Sequence, residues 1–166
     1  VLAFAAAPPL QPSHLFFAER ATTTSAWTTT PVDGLGSTGL SNRIAVDLQG
    51  VVHITYYESQ AQALRYATHA PSAAWQSAAL EQGGGAGLHQ DLARDENHDL
   101  WLAFSQDSAT VTSEIRLAHQ RGGIWEFQTT GFEGIDVQMR TSPQRQHLAF
   151  FRHATGELIY AWRGMQ

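Results

Sequence analysis

Four short segments repeat one pattern along the chain: Val1-Leu-Ala-Phe-Ala5, His53-Ile-Thr-Tyr-Tyr57, Trp101-Leu-Ala-Phe-Ser105 and His147-Leu-Ala-Phe-Phe151. Their spacings are 52, 48 and 46 residues. A second set follows the first: Leu15-Phe-Phe-Ala18, Leu64-Arg-Tyr-Ala67, Ile115-Arg-Leu-Ala118 and Leu158-Ile-Tyr-Ala161. A Trp comes 10 to 12 residues after the start of three of these, as Trp27, Trp75 and Trp125. Ordered sub-motifs in four copies mark a repeat protein, whose units bury their apolar faces against one another.

Each sub-motif is rich in β-branched, aromatic and aliphatic residues and is bounded by Gly, Pro, Ser, Asn or Asp, which is strand character. Ile44-Ala-Val-Asp47, Leu92-Ala-Arg-Asp95 and Gln138-Met-Arg-Thr141 precede the second, third and fourth copies, each ending six residues before the next strand begins. That is a hairpin-sized connection. The unit therefore reads as four strands, the last starting at the Trp. No segment holds a 3.6-residue apolar period beyond two turns, so helix is expected to be nearly absent. A four-stranded antiparallel unit of about 48 residues predicts an all-β fold of β-propeller blades. The expected blades cover residues 1–33 (partial), 42–80, 89–130 and 136–166 (partial) of one propeller segment. A β-sandwich also shows short, evenly spaced strands, but it does not repeat its sequence four times. The opening Val1–Pro8 stretch lacks the basic leading region of a signal peptide, and its Leu-Ala-Phe falls in register with the other copies.

Composition removes several function classes. All ten cationic side chains are Arg, and fifteen carboxylates give a net charge of −5 with no block of either sign. A nucleic-acid binder needs a basic stripe to displace counterions from phosphates, so none is expected. No Cys excludes a disulfide framework, a thiolate metal site and a Cys nucleophile. The longest apolar run, Val1 to Ala7, is far too short to span a bilayer, so no membrane span is expected.

Residues 44–57, Ile-Ala-Val-Asp-Leu-Gln-Gly-Val-Val-His-Ile-Thr-Tyr-Tyr, followed by Leu64-Arg-Tyr-Ala67 and Trp75, resemble a repeat of secreted bacterial proteins. That pattern is an Asp-x-x-Gly turn, His-Ile-Ser-Tyr-Tyr-Asp, Leu-x-Tyr-Ala and a Trp, and it is similar to the repeats of sialidase-like and lectin-like propellers. The resemblance covers nearly the whole chain and is closest in residues 44–75. The third copy departs with His98 in the place of Gly50, and the fourth with Thr141 and Gln144 in place of Asp47 and Gly50. It implies a propeller fold and a secreted, periplasmic or cell-surface bacterial setting more firmly than any activity.

The strands run three, four, four and three to a unit, opening in the middle of one blade and stopping before the last blade's fourth strand. Both end units hold their own second and third strands, so they do not merge into one blade. Each end leaves an unpaired sheet edge, a template for association. The expectation is a part of a larger ring, completed by a second copy, another chain or further sequence; two copies would supply about seven or eight blades. The other open reading is a monomer closed by four irregular blades. The expected assembly edges are Val1, Leu2, Phe4, Leu158 and Tyr160.

Candidate ligand contacts are few. Trp27, Trp75 and Trp125 repeat, which favours packing between blades over a ring of sugar platforms. Trp101 and Trp162 depart from the repeat and are the preferred sugar-stacking residues. Arg94 and Arg140 are equivalent to Val46 on the first strand of the unit; they either bind an anionic ligand or pair with Asp91, Asp95 or Asp136. His53 and His147 are repeat-equivalent and lie in different blades, and the other His show no metalloprotease spacing, so no metal is expected. Asp95-Glu-Asn-His-Asp99 alternates oxygen ligands as a calcium loop does, but Leu100 and Gln106 stand where its Gly and bidentate Glu belong. Gly83-Gly-Gly-Ala-Gly87 has no following Lys-Ser/Thr and reads as a flexible connection rather than a phosphate loop. No Asp-box is present, and nothing selects a pair of facing carboxylates. The function expected is therefore a non-catalytic binding or assembly module without cofactor, its partner another protein or a second copy. The alternatives are a glycan-binding, lectin-like propeller and a sialidase-like glycoside hydrolase.

Overall fold

A computed structural model describes residues 1–6, 12–108 and 111–164. The described residues form fourteen strands in four antiparallel sheets, with no helix among them and none long and apolar enough to cross a membrane. Sheet 1 holds β1 (Leu2–Ala6), β2 (His14–Glu19) and β3 (Thr28–Pro31). Sheet 2 holds β4 (Thr38–Val46), β5 (Val52–Glu58), β6 (Ala63–His69) and β7 (Gln76–Gln82). Sheet 3 holds β8 (Gln90–Arg94), β9 (Leu100–Ser108), β10 (Val111–Arg121) and β11 (Ile124–Glu133). Sheet 4 holds β12 (Ile135–Ser142), β13 (Arg145–Arg152) and β14 (Glu157–Gly164). Within each sheet the strands follow in chain order as a simple meander.

Alternation along the strands gives every sheet two apolar faces. One, the leading face, carries Leu2 and Phe4, Ile54 and Tyr56, Leu102 and Phe104, or Leu148 and Phe150 in sheets 1 to 4. The trailing face carries Leu15 and Phe17, Leu64 and Tyr66, Ile115 and Leu117, or Leu158 and Tyr160; the strand registers put these pairs on opposite sides. Each trailing face packs on the next sheet's leading face. Leu15, Phe17 and Val32 meet Val52, Ile54 and Tyr56. Leu64 meets Leu92, Leu100, Leu102 and Phe104. Trp101, Ala103, Ile115 and Leu117 meet Val137, Met139, Leu148 and Phe150. The core is thus three separate layers between four sheets, which is why the apolar pattern repeats rather than converging on one centre.

The sheets also adjoin along their first strands: β1 packs on β4, β4 on β8 and β8 on β12. Turns at the far side of β4, β8 and β12 keep one geometry despite sequence drift. Gly50, His98 and Gln144 occupy the same repeat position, and all three are left-handed, at φ of 78°, 69° and 63°. Glycine is therefore a convenience at this turn rather than a condition of it. Gly87 is a stricter case: at φ +85° a Cβ there would lie 2.9 Å from the Leu64 Cβ and 3.2 Å from its Cα. A Cβ on its equivalent Gly39, at φ +92°, would likewise lie 3.1 Å from the Leu15 Cα. The sequence reading of residues 83–87 as a flexible connection is corrected at Gly87, where close backbone approach needs the missing side chain.

Candidate functional site

The turn between the first two strands of a unit is built around one carboxylate. Asp47 Oδ1 accepts the amides of Gln49 at 2.9 Å and Val51 at 2.8 Å, and Asp95 Oδ1 accepts those of Asn97 at 2.9 Å and Asp99 at 3.0 Å. Six residues on, the first position of the motif faces the second oxygen. His53 Nε2 lies 3.4 Å from Asp47 Oδ2. Trp101 Nε1 donates to Asp95 Oδ2 at 2.9 Å. Trp101 therefore departs from the repeat in identity but keeps the role, because both side chains present an N–H at that height. In the fourth unit, His147 Nε2 bonds Ser142 Oγ at 2.8 Å.

Burial lowers the His53 pKa against the opposing hydrogen bond and charge of Asp47. A neutral ring with its proton on Nε2 serves both contacts, since Nδ1 is then free to accept from Tyr66 Oη at 2.7 Å. Burial also pushes the Tyr66 phenol up to about 12, opposed by the hydrogen bond from Gln120 Nε2. Partial burial raises the Asp47 carboxyl, but the Val51 and Gln49 amides and His53 outweigh it and hold the group below 3.8.

In the third unit, Asp95, Asp99 and His119 bring ligand atoms within 4.8 Å of one another, a set the sequence reading weighed only in part. Asp95 already receives three N–H donors, while Asp99 Oδ2 faces His119 Nε2 at 3.3 Å and Arg121 Nε at 3.5 Å. His119 is buried and stacks on Trp101 with ring centroids 3.8 Å apart. These residues could reach one divalent cation, and the existing donors, with Arg121 as a cation, also account for the charge they carry.

Of the expected arginines, Arg140 joins a different centre. Asp91 is buried at 5% exposure and accepts Arg43 Nε at 3.1 Å, Arg140 Nη1 at 2.8 Å and the Met139 amide at 2.9 Å. One carboxylate thus ties β4, β8 and β12 together. Arg94 donates to the Val46 carbonyl and bonds His98 Nδ1 at 2.8 Å, with no carboxylate partner among the described residues. Arg94 and Arg140 do not converge on a common ligand space in these contacts; the pairing of Arg140 with Asp91 is the alternative the sequence left open.

Two of the clefts between sheets 3 and 4 are lined in part by β14. One, of about 450 Å³, is polar and lined by Trp101, His119, Arg121, Glu126, Gln128 and Arg163. The other, of about 230 Å³ and mainly apolar, is lined by Leu117, Thr130, Phe132, Leu148, Ala161 and Arg163 among others. Arg163 donates to Gln146 Oε1 at 2.6 Å and Gln128 Oε1 at 2.7 Å, and burial lowers its pKa. The sequence reading did not single out Arg163, because what distinguishes it is the space beside it. Trp101, expected as a sugar platform, is 6% exposed and presents no open ring. Trp162 is exposed, lines the smaller cleft and lies under Arg145 at 4.4 Å. Val1, Leu2, Phe4, Leu158 and Tyr160 are all exposed on the terminal sheets. Trp75 and Trp125 pack across sheet junctions on Phe17 and Tyr66, whereas Trp27 is exposed beneath Arg20. No protein-family model and no curated protein matches the chain.

Proposed function

We propose that the chain is a section of a β-propeller that acts as a non-catalytic assembly module, stacking its terminal sheets on a second copy of itself to complete a larger ring. One observation carries the reading: equivalent positions are buried inside the row and bare at its ends. Leu15, Leu64 and Ile115 are 0% exposed, but their equivalent Leu158 is 78% exposed. Tyr56, Phe104 and Phe150 are likewise 0% exposed, against 38% for Phe4. What covers a trailing face at all three internal junctions is a leading face. The bare trailing face of sheet 4 and the bare leading face of sheet 1 are therefore complementary, and a head-to-tail contact would seat Trp27 of one copy on Tyr160 of the next. Such a contact is heterologous, so it propagates until the rotation closes. The resemblance of residues 44–75 to repeats of secreted bacterial propellers supports a secreted or periplasmic setting.

The chain has no cysteine, which makes a direct test simple. Leu2→Cys and Leu158→Cys variants, mixed and treated with a short thiol–thiol crosslinker, should yield mixed dimers in excess of same-variant dimers. Same-variant dimers alone, or none, would overturn the reading. A second reading, a lectin-like module, is favoured by the polar 450 Å³ cleft and by exposed Trp162. It expects saccharide-dependent tryptophan fluorescence that Trp162→Ala or Arg163→Ala abolishes.

A further inference from the structure

We infer that Asp95, Asp99 and His119 form a binding site for one divalent transition-metal ion of the zinc type. Their ligand atoms lie within 4.8 Å of one another. His119 Nε2 is what points to an ion: the side chain is 6% exposed, and this nitrogen is buried without a hydrogen-bond partner. Asp99 Oδ2 stands 3.3 Å from it, yet no hydrogen bond forms between them. That distance is the separation of two ligands on a tetrahedral ion whose bonds are about 2.0–2.1 Å. A buried ring nitrogen left without a partner is costly, and an ion bound at its lone pair removes the cost. No sequence spacing announces the set, because His119 reaches the turn of Asp95 from another strand, β10.

The fold does not ask for these side chains. In sheet 2 the same turn closes with Val51 in the place of Asp99, its amide bonded to Asp47 as that of Asp99 is to Asp95. Thr68 stands opposite His53 where His119 stands opposite Trp101, and in sheet 4 Trp162 holds that place opposite His147. Only Asp95 belongs to the shared turn; Asp99 and His119 are departures from the repeat that meet at one point. Asp95 takes three neutral N–H donors, which fix its carboxylate as hydrogen bonds commonly fix a ligating one. The Trp101 ring stacked on His119 fixes the imidazole. Two carboxylates neutralise a divalent charge, and carboxylate with imidazole suits zinc, whereas calcium takes about six to eight oxygens. Arg121 is the competing cation: its Nε is 3.5 Å from Asp99 Oδ2, and its side chain is 67% exposed, so it can turn into water as an ion enters. All three ligands belong to sheet 3 and its first turn, so the site is complete within one unit and is independent of the assembly reading.

The probe is Zn²⁺ added to the intact, chelator-treated chain and followed by calorimetry. One Zn²⁺ should bind per chain at about micromolar Kd or tighter, and saturating Zn²⁺ should raise the thermal midpoint. His119→Phe keeps a ring against Trp101 and removes the nitrogen. Asp99→Val installs the residue that the same turn carries in sheet 2, so it leaves the fold intact even where His119→Phe does not. Each should weaken binding by more than the roughly tenfold to hundredfold that loss of an outer-shell partner costs. Arg121→Gln should instead tighten binding by about threefold to tenfold, because it removes the competing charge. No Zn²⁺ binding, binding that Asp99→Val retains in full, or a preference for Ca²⁺ over Zn²⁺ would overturn the inference. So would weaker binding by Arg121→Gln.

Discussion

Asp91→Ala tests the account of how the four sheets hold their order. The wild-type carboxylate is buried and takes three donors from two neighbouring sheets. Alanine leaves the buried Met139 amide without its acceptor, a loss of about 1–3 kcal/mol. The Arg43 side chain is 36% exposed, so water replaces part of its lost partner, and its share is about 1 kcal/mol. The Arg140 side chain is 74% exposed, and its share is about 0–1 kcal/mol after screening. The total is about 2–5 kcal/mol, which lowers a urea midpoint by roughly 1–2.5 M without changing the slope. Equilibrium unfolding of Asp91→Ala, Arg43→Ala and Arg140→Ala should rank them in that order of cost. An Asp91→Ala midpoint at the wild-type value, or an Arg140→Ala cost equal to it, refutes the claim that this carboxylate joins the sheets.

Three further outcomes follow from the turns. Trp101→Phe removes the N–H donated to Asp95 and should cost about 1–2 kcal/mol in urea unfolding; a neutral result contradicts the structural role assigned to that side chain. His53 has a folded pKa below its ordinary 6.5, so the unfolded chain gains a proton that the folded one resists. Stability should therefore fall as pH drops below 6.5, by about 1.4 kcal/mol for each unit of pKa difference. His53→Gln should flatten the stability curve between pH 8 and 5.5, and an unchanged slope would contradict this. Gln144→Gly relieves a left-handed, exposed turn residue at φ 63° and should raise stability by about 0.5–1 kcal/mol in the same assay; a loss of stability would contradict the strain.

Strand positions were legible because each unit carries its own local signal. Leu-x-Tyr-Ala alternates at the strand period, Trp75 and Trp125 immediately precede or open fourth strands, and Asp47 and Asp95 anchor their turns through their own side chains. The turn at His98 shows how far that legibility reaches, since the same backbone persists without its Gly. The role of Trp101 was not legible. A departure from a repeat marks either a new function or a substitute for the old contact, and only the distance to Asp95 separates the two. Arg163 was invisible for a different reason: its significance lies in the space beside it, and sequence reports side chains, not the space between them. Arg140 could be narrowed only to a choice of partners, because which acid faces it depends on how β8 and β12 adjoin.

Sedimentation of the unmodified chain over a range of concentrations tests the central claim most directly. Head-to-tail stacking of the terminal sheets predicts species at multiples of 18.2 kDa that dissociate to monomer when Tyr160 is replaced by Ser. A wild-type chain that remains an 18.2 kDa monomer at every concentration would contradict it.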